Sequence, residues 1–226
     1  MNLPAGLFGD AWAYGAFLLL AGVLLWCLRT APWRRLADSG QWNVWLGTIV
    51  VLMLVWSMNA GIKPGLNMHL LGVTAFTLMF GRQLAIVGLC VVLGAVTFNS
   101  AGSGREIGWQ AFALNGLVMA VFPSFVADGI LRAVERWLPP NFFVYIFVAT
   151  FFGAALNTLA TGSVATLLMA AAGVYPLPML LDDYFPYYVL LGFAEAWLNG
   201  AAMTLMVVYL PHWVATFDDR KYLWNK

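Results

Sequence analysis

Ala11-Trp-Ala-Tyr-Gly-Ala-Phe-Leu-Leu-Leu-Ala-Gly-Val-Leu-Leu-Trp-Cys-Leu28 runs for 18 residues without a charge and is closed by Arg29. A helix needs about 20 such residues to cross the hydrocarbon core of a bilayer. Working outward, six more apolar stretches follow, at 42–58, 66–80, 83–98, 109–131, 142–172 and 184–210. The composition agrees with them. Of 226 residues, 62% are apolar and 9% charged, and the mean hydropathy is +0.83. A soluble domain carries about a quarter charged residues. Eleven Lys and Arg offset by ten Asp and Glu leave no basic surface for nucleic acid. The reading is an all-α, polytopic membrane helical bundle, a single integral membrane domain over residues 1–226, with seven transmembrane helices in the cell inner (plasma) membrane.

The basic residues set the expected orientation. Arg29, Arg34, Arg35, Arg82, Arg132, Arg136, Arg220, Lys221 and Lys226 fall on one side of a seven-span alternation, and only Lys63 and Arg105 on the other. Positive charge marks the cytoplasmic side, so the expected topology is N-out/C-in. The third and fourth stretches, separated by Gly81-Arg82, read as a tight helical hairpin. The sixth is too long for one straight crossing and contains Gly162-Ser163, which predicts tilt, a kink or a part outside the bilayer. Cys27 and Cys90 lie in apolar runs and read as small buried hydrophobes.

Residues 1–10 form an apolar leader too short to span, and Pro4, Gly6 and Gly9 interrupt any helix there. Its backbone groups need partners within a membrane. The leader therefore either lies at the outer interface or enters the bundle and lines a cavity. Asn2 is a large second residue and is expected to leave Met1 in place, with its amine at the outer face. A deprotonated amine is a competent metal ligand.

His69 is one of two histidines, at the expected outer start of the third span. If that span is helical throughout, Gly65 and Gly72 share its face at i−4 and i+3 and leave room for another segment to approach. Glu195 lies about eleven residues into the last span, ~16 Å deep at 1.5 Å per residue. A carboxyl at that depth must face the bundle interior. Asn199 at i+4 is a ready partner, and the pair reads equally as a structural staple or an ion relay. Asp128 and Arg132 predict a local ion pair, and Asn115 and Asn157 interhelical hydrogen bonds.

Four patches resemble the CbiM and NikM family, the membrane substrate-binding components of cobalt and nickel energy-coupling-factor transporters. Met1-Asn-Leu-Pro-Ala-Gly-Leu7 is similar to the family's opening Met-His-Ile-Pro-x-Gly-Phe. Met68-His-Leu-Leu-Gly72, with Leu78-Met-Phe-Gly81 behind it, resembles its His-Leu-Leu-Gly segment. Phe98-Asn-Ser-Ala-Gly-Ser-Gly104, with Asn115 downstream, looks like its glycine-rich loop. Gly192-Phe-Ala-Glu-Ala-Trp-Leu-Asn-Gly200 resembles its Gly-x-x-Glu-Gly-x-x-Thr-Gly.

The resemblance implies a seven-helix bundle with the N-terminus inserted, and a roughly square-planar nitrogen site to which Met1, Asn2 and His69 correspond. Gly65, Asn67, Gly72, Asn99, Asn115, Glu195 and Asn199 would support it. Such ligation suits Ni(II), and the resemblance adds Co(II), each as a transported substrate; Cu(II) or Zn(II) also fits the donor types. The chain departs from the family at Asn2, where histidine is expected, so one imidazole is absent. It also lacks GxxxxGK[ST], so energy would come from separate ATPase and coupling membrane subunits. The expected function is transition-metal uptake, with no enzymatic activity and no intrinsic cofactor. The alternative is a non-transporting membrane protein, with an assembly, sensing or docking role on the same scaffold.

Overall fold

The computed structural model describes residues 3, 6, 8–58, 60–61, 66–102 and 108–223. Helix α1 (Asp10–Thr30) and α2 (Ser39–Ser57) come first. A minimal hairpin follows, β1 (Ala60–Gly61) antiparallel to β2 (Asn67–Met68). Next come the short α3 (Val73–Phe80) and the long α4 (Arg82–Gly102). The remaining helices are α5 (Trp109–Trp137), α6 (Val144–Ala171), α7 (Leu177–Asp183), α8 (Phe185–Tyr209) and the four-residue α9 (Asp219–Tyr222). Among the described residues, six helices are long and apolar enough to cross a membrane: α1, α2, α4, α5, α6 and α8. The chain is a multi-pass membrane protein of helical architecture.

The expected third span, 66–80, is not among the six. Only Val73–Phe80 is helical, which is ~12 Å of helix. The physical reason is local. Gly72 has φ +63°, a left-handed conformation that cannot continue an α-helix, and the N–H groups of Leu71 and Gly72 donate to a side chain instead of helix carbonyls. His69 is therefore not helical, and Gly72 does not share a helical face with it. The hairpin of α3 and α4 does form, turning on Gly81 at φ +82°.

Packing fixes the direction of the elements around this break. Trp45 Nε1 donates to Leu84 O at 3.3 Å, and a Cβ on Gly88 would lie 3.3 Å from Ile49 Cδ1. Residues advance together on α2 and α4, so these two helices run parallel. The chain between them must cover the distance from the far end of α2 back to the near end of α4, and α3 is its last leg.

One end of the bundle gathers the basic residues. Arg82 Nη1 and Arg132 Nη2 each meet Asp128 Oδ2 at 2.9 Å, and Arg82 also lies over the Phe125 ring at 4.3 Å. Gln41 donates to His212 O at 2.7 Å, while Tyr222 and Lys221 both reach Glu135 at 2.7 Å. The expected Asp128–Arg132 pair is thus half of a shared site. The sixth stretch is a single long helix whose wide turns lie at Val144–Phe152, well before Gly162. Gly162 is a contact point: a Cβ there would fall 2.3 to 2.8 Å from three Tyr188 ring atoms. In α5 a wide turn at Leu117–Val121 precedes Pro123, whose ring would clash with a carbonyl four residues back in a regular helix.

Candidate functional site

His69 follows β2 in the irregular stretch that leads to α3. Its ring is 4% exposed and packs on Trp56, with ring centroids 5.2 Å apart. The Trp56 indole N–H donates to Leu71 O at 2.9 Å, so one buried side chain holds both the ring and the backbone beyond it. His69 Nδ1 lies 2.9 Å from Leu70 O. A carbonyl only accepts, so Nδ1 carries the proton and Nε2 presents its lone pair. Among the described residues Nε2 is buried without a partner. This is the arrangement of a histidine that ligates through one nitrogen and is oriented through the other. A cleft of about 720 Å³ opens beside it, lined in part by Met58, Met68 and His69.

Glu195 meets the same segment from α8. It is 1% exposed, and its carboxylate accepts from Leu71 N and from Gly72 N, the latter at 3.2 and 3.1 Å. Asn199 Nδ2 donates to Glu195 Oε2 at 2.6 Å, and Asn199 Oδ1 accepts from Ala75 N at 2.8 Å. At the start of α3, Gly72 N and Ala75 N are therefore satisfied by two side chains one turn apart on α8. The sequence places His69 and Glu195 ~16 Å apart in depth on neighbouring helices. The non-helical entry instead brings the carboxylate onto residues two and three positions after His69.

The leader is anchored at the other wall. Leu3 N donates to Asn115 Oδ1 at 2.7 Å, and Asn115 Nδ2 donates to Leu3 O at 2.9 Å. Both residues are fully buried. The primary amide satisfies both backbone groups of one residue, as a neighbouring strand would. Of the two expected placements for the leader, Leu3 takes the one inside the bundle.

Met1, Asn2 and Gly65 lie outside the described residues. Asn67 is half-buried in β2, and Asn99 is exposed on α4. Among the described residues, no three of His, Cys, Asp and Glu are gathered as a metal site. Trp56 was not distinguishable in the sequence, being one of eleven tryptophans, most of them in apolar runs. Nor was Thr74, whose hydroxyl accepts from Asn157 Nδ2 at 3.0 Å.

Residues 2–213 match the sequence profile of CbiM, described as the cobalt uptake substrate-specific transmembrane region. No curated protein matches the chain. Two crystal structures share the fold. A truncated transition metal transporter superposes with a TM-score of 0.77 at 17% identity, covering 92% of this chain and 99% of that one. A second transition metal transporter gives 0.74 at 17% identity, covering 91% and 92%.

Proposed function

The chain belongs to the CbiM family, and on that premise we propose that it takes up a transition metal ion, held near the outer face by His69 Nε2 and nitrogen donors of the N-terminus. The observation that carries this reading is the buried His69 nitrogen, which has a fixed tautomer and no partner among the described residues. Leu3 supports it, because a leader clamped inside the bundle by Asn115 keeps Met1 and Asn2 within a few residues of buried structure. The cargo in this reading is Co(II) or Ni(II), and Asn2 in place of a histidine leaves the site with one fewer imidazole.

The parallel run of α2 and α4 supports a seventh crossing that ends in α3. Broken crossings of this kind are common where transporters hold ions, because irregular backbone is tolerated when it is buried in protein. With seven crossings, the end carrying Arg29, Arg82, Arg132 and Lys221 is cytoplasmic and the N-terminus is outside. Separate ATPase and coupling subunits supply the energy, since the sequence carries no phosphate-binding loop.

The test is cobalt accumulation by cells that lack their own uptake system and express the full chain with its candidate partner subunits. The reading expects accumulation that His69→Ala abolishes at equal membrane abundance. Equal accumulation with and without His69 overturns it. Asn2 favours one second reading, a non-transporting scaffold, which expects no metal-dependent difference in any of these cells.

A further inference from the structure

Helix α3 has eight residues, and all but Ala75 are buried. A helix of that length is not stable by itself, so its place is set by what holds its two ends. The end nearer His69 is held from α8, where Glu195 accepts from Gly72 N and Asn199 from Ala75 N. The end at the Gly81 turn is held by the C-terminal segment. Ala215 N donates to Met79 O at 2.8 Å, and Thr216 Oγ1 donates to Leu78 O at 2.9 Å. Both are carbonyls of the last turn of α3, which the helix cannot satisfy from its own backbone. Tyr145 Oη on α6 lies 2.7 Å from Thr216 Oγ1. The Thr216 proton is already donated to a carbonyl, which only accepts, so Tyr145 is the donor. A directed chain therefore runs from Tyr145 through Thr216 to Leu78.

The segment that makes these contacts is itself tied down on both sides of them. Before them, Gln41 of α2 donates to His212 O at 2.7 Å. After them, Lys221 and Tyr222 of α9 reach Glu135 of α5, each at 2.7 Å. Between, the buried Phe217 ring stacks on Tyr222, with centroids 5.0 Å apart and planes at 11°, and meets the Tyr145 ring edge-on at 5.1 Å. The other side of the segment is open, since His212, Ala215, Asp218, Arg220 and Leu223 are exposed. Residues 211–222 thus form a strap across the end of the bundle, and α3 is the element it shares with the His69 segment. The helix is ~12 Å long and close-packed, so a displacement of one end is carried to the other. Gly72 joins it directly to the stretch that bears His69. A metal ligand holds its geometry only as well as its supporting shell does.

We infer that the strap of residues 211–222, with Thr216 as its positioning residue, acts through α3 to set how tightly the metal is held at His69, at the opposite end of that helix. This rests on His69 being a metal ligand, and the test separates the two. Co(II) is titrated into the purified full chain with its native N-terminus, and deuterium exchange is followed over residues 69–80. Thr216→Val removes the hydroxyl at nearly constant volume, and Thr216→Ser keeps it. The expected result for Thr216→Val is exchange at least tenfold faster and Co(II) binding at least tenfold weaker, with Thr216→Ser close to the unsubstituted chain in both. A merely structural contact would lower thermal stability and leave Co(II) affinity where it was. Faster exchange in Thr216→Val with unchanged Co(II) affinity therefore overturns the proposal, as does unchanged exchange. Tyr145→Phe removes the hydroxyl that donates to Thr216 while sparing the bond to Leu78. It should weaken Co(II) binding at least threefold, and it decides the matter if Thr216→Val does not fold; unchanged affinity there overturns the proposal too. If the unsubstituted chain binds Co(II) no better than His69→Ala, the metal site itself is wrong and the strap's role falls with it. Binding that needs His69 but ignores the strap defeats this inference alone.

Discussion

Replacing Glu195 tests how the His69 segment is held. In Glu195→Ala two backbone donors, Leu71 N and Gly72 N, lose their acceptor inside the bundle, while Asn199 Nδ2 keeps its bond to Glu195 O at 2.7 Å. Each orphaned donor costs about 1–3 kcal/mol, so the segment should lose about 2–6 kcal/mol of local stability. At about 1.4 kcal/mol per tenfold, its amides should exchange with deuterium at least roughly 30-fold faster. Glu195→Gln is a finer probe. Its carbonyl can still accept from Leu71 and Gly72, but its amide N–H₂ then faces the Asn199 donor. Asn199 cannot turn to help, since its Oδ1 already accepts from Ala75 N. One interaction is lost, about 1–3 kcal/mol. Adding Asn199→Ala removes the donor–donor conflict, so the Gln substitution should cost less in that background, a coupling that a double-mutant cycle reads directly. The assay is hydrogen exchange over residues 66–80 in detergent, with α6 as the internal reference. Unchanged exchange in Glu195→Ala, or a Gln cost equal to that of Ala, would refute the anchoring.

Other substitutions test neighbouring parts. Asn115→Leu strands both backbone groups of Leu3 and should cost about 2–6 kcal/mol of leader anchoring, read as faster proteolysis or exchange at the N-terminus with α8 unaffected. Gly162→Ala pushes a methyl into the Tyr188 ring, whose hydroxyl is fixed to Tyr184 at 2.6 Å, and should destabilise α6–α8 packing by about 1–3 kcal/mol in thermal unfolding. Reporter fusions after Asp38 and after Leu223 should give the same cytoplasmic signal, and one after Met58 the opposite; opposite signals at Asp38 and Leu223 contradict the seventh crossing. The pH dependence of metal binding should follow the terminal amine. A free amine titrates near ~8, so below that pH protons compete with the metal for it. Affinity measured by titration should rise with pH towards ~8, and affinity unchanged between pH ~6 and ~8 contradicts an amine ligand.

The long helices were legible because a bilayer demands length and apolarity and little else. The six stretches that became α1, α2, α4, α5, α6 and α8 match their helices to within a few residues, apart from the C-terminal end of α5. The break at 66–80 was not legible, since Leu70 and Leu71 are as apolar in an extended chain as in a helix. What decides the matter is Glu195, 124 residues away, which competes for the Leu71 N–H. The same holds for Asn115, legible as a buried polar residue but not as the partner of Leu3, 112 residues earlier. Glu195 itself was legible as an inward-facing acid from depth alone. Its contact with the segment that bears His69 required the fold.

The central claim is that His69 and the chain's N-terminus together hold the metal. Equilibrium titration of Co(II) and Ni(II) into the purified full chain tests it, comparing the native N-terminus, a short N-terminal extension and His69→Ala. The account predicts one bound ion per native chain, and at least a hundredfold weaker binding in both variants while their thermal unfolding stays unchanged. Binding that survives the extension at full strength, or is indifferent to His69, contradicts it.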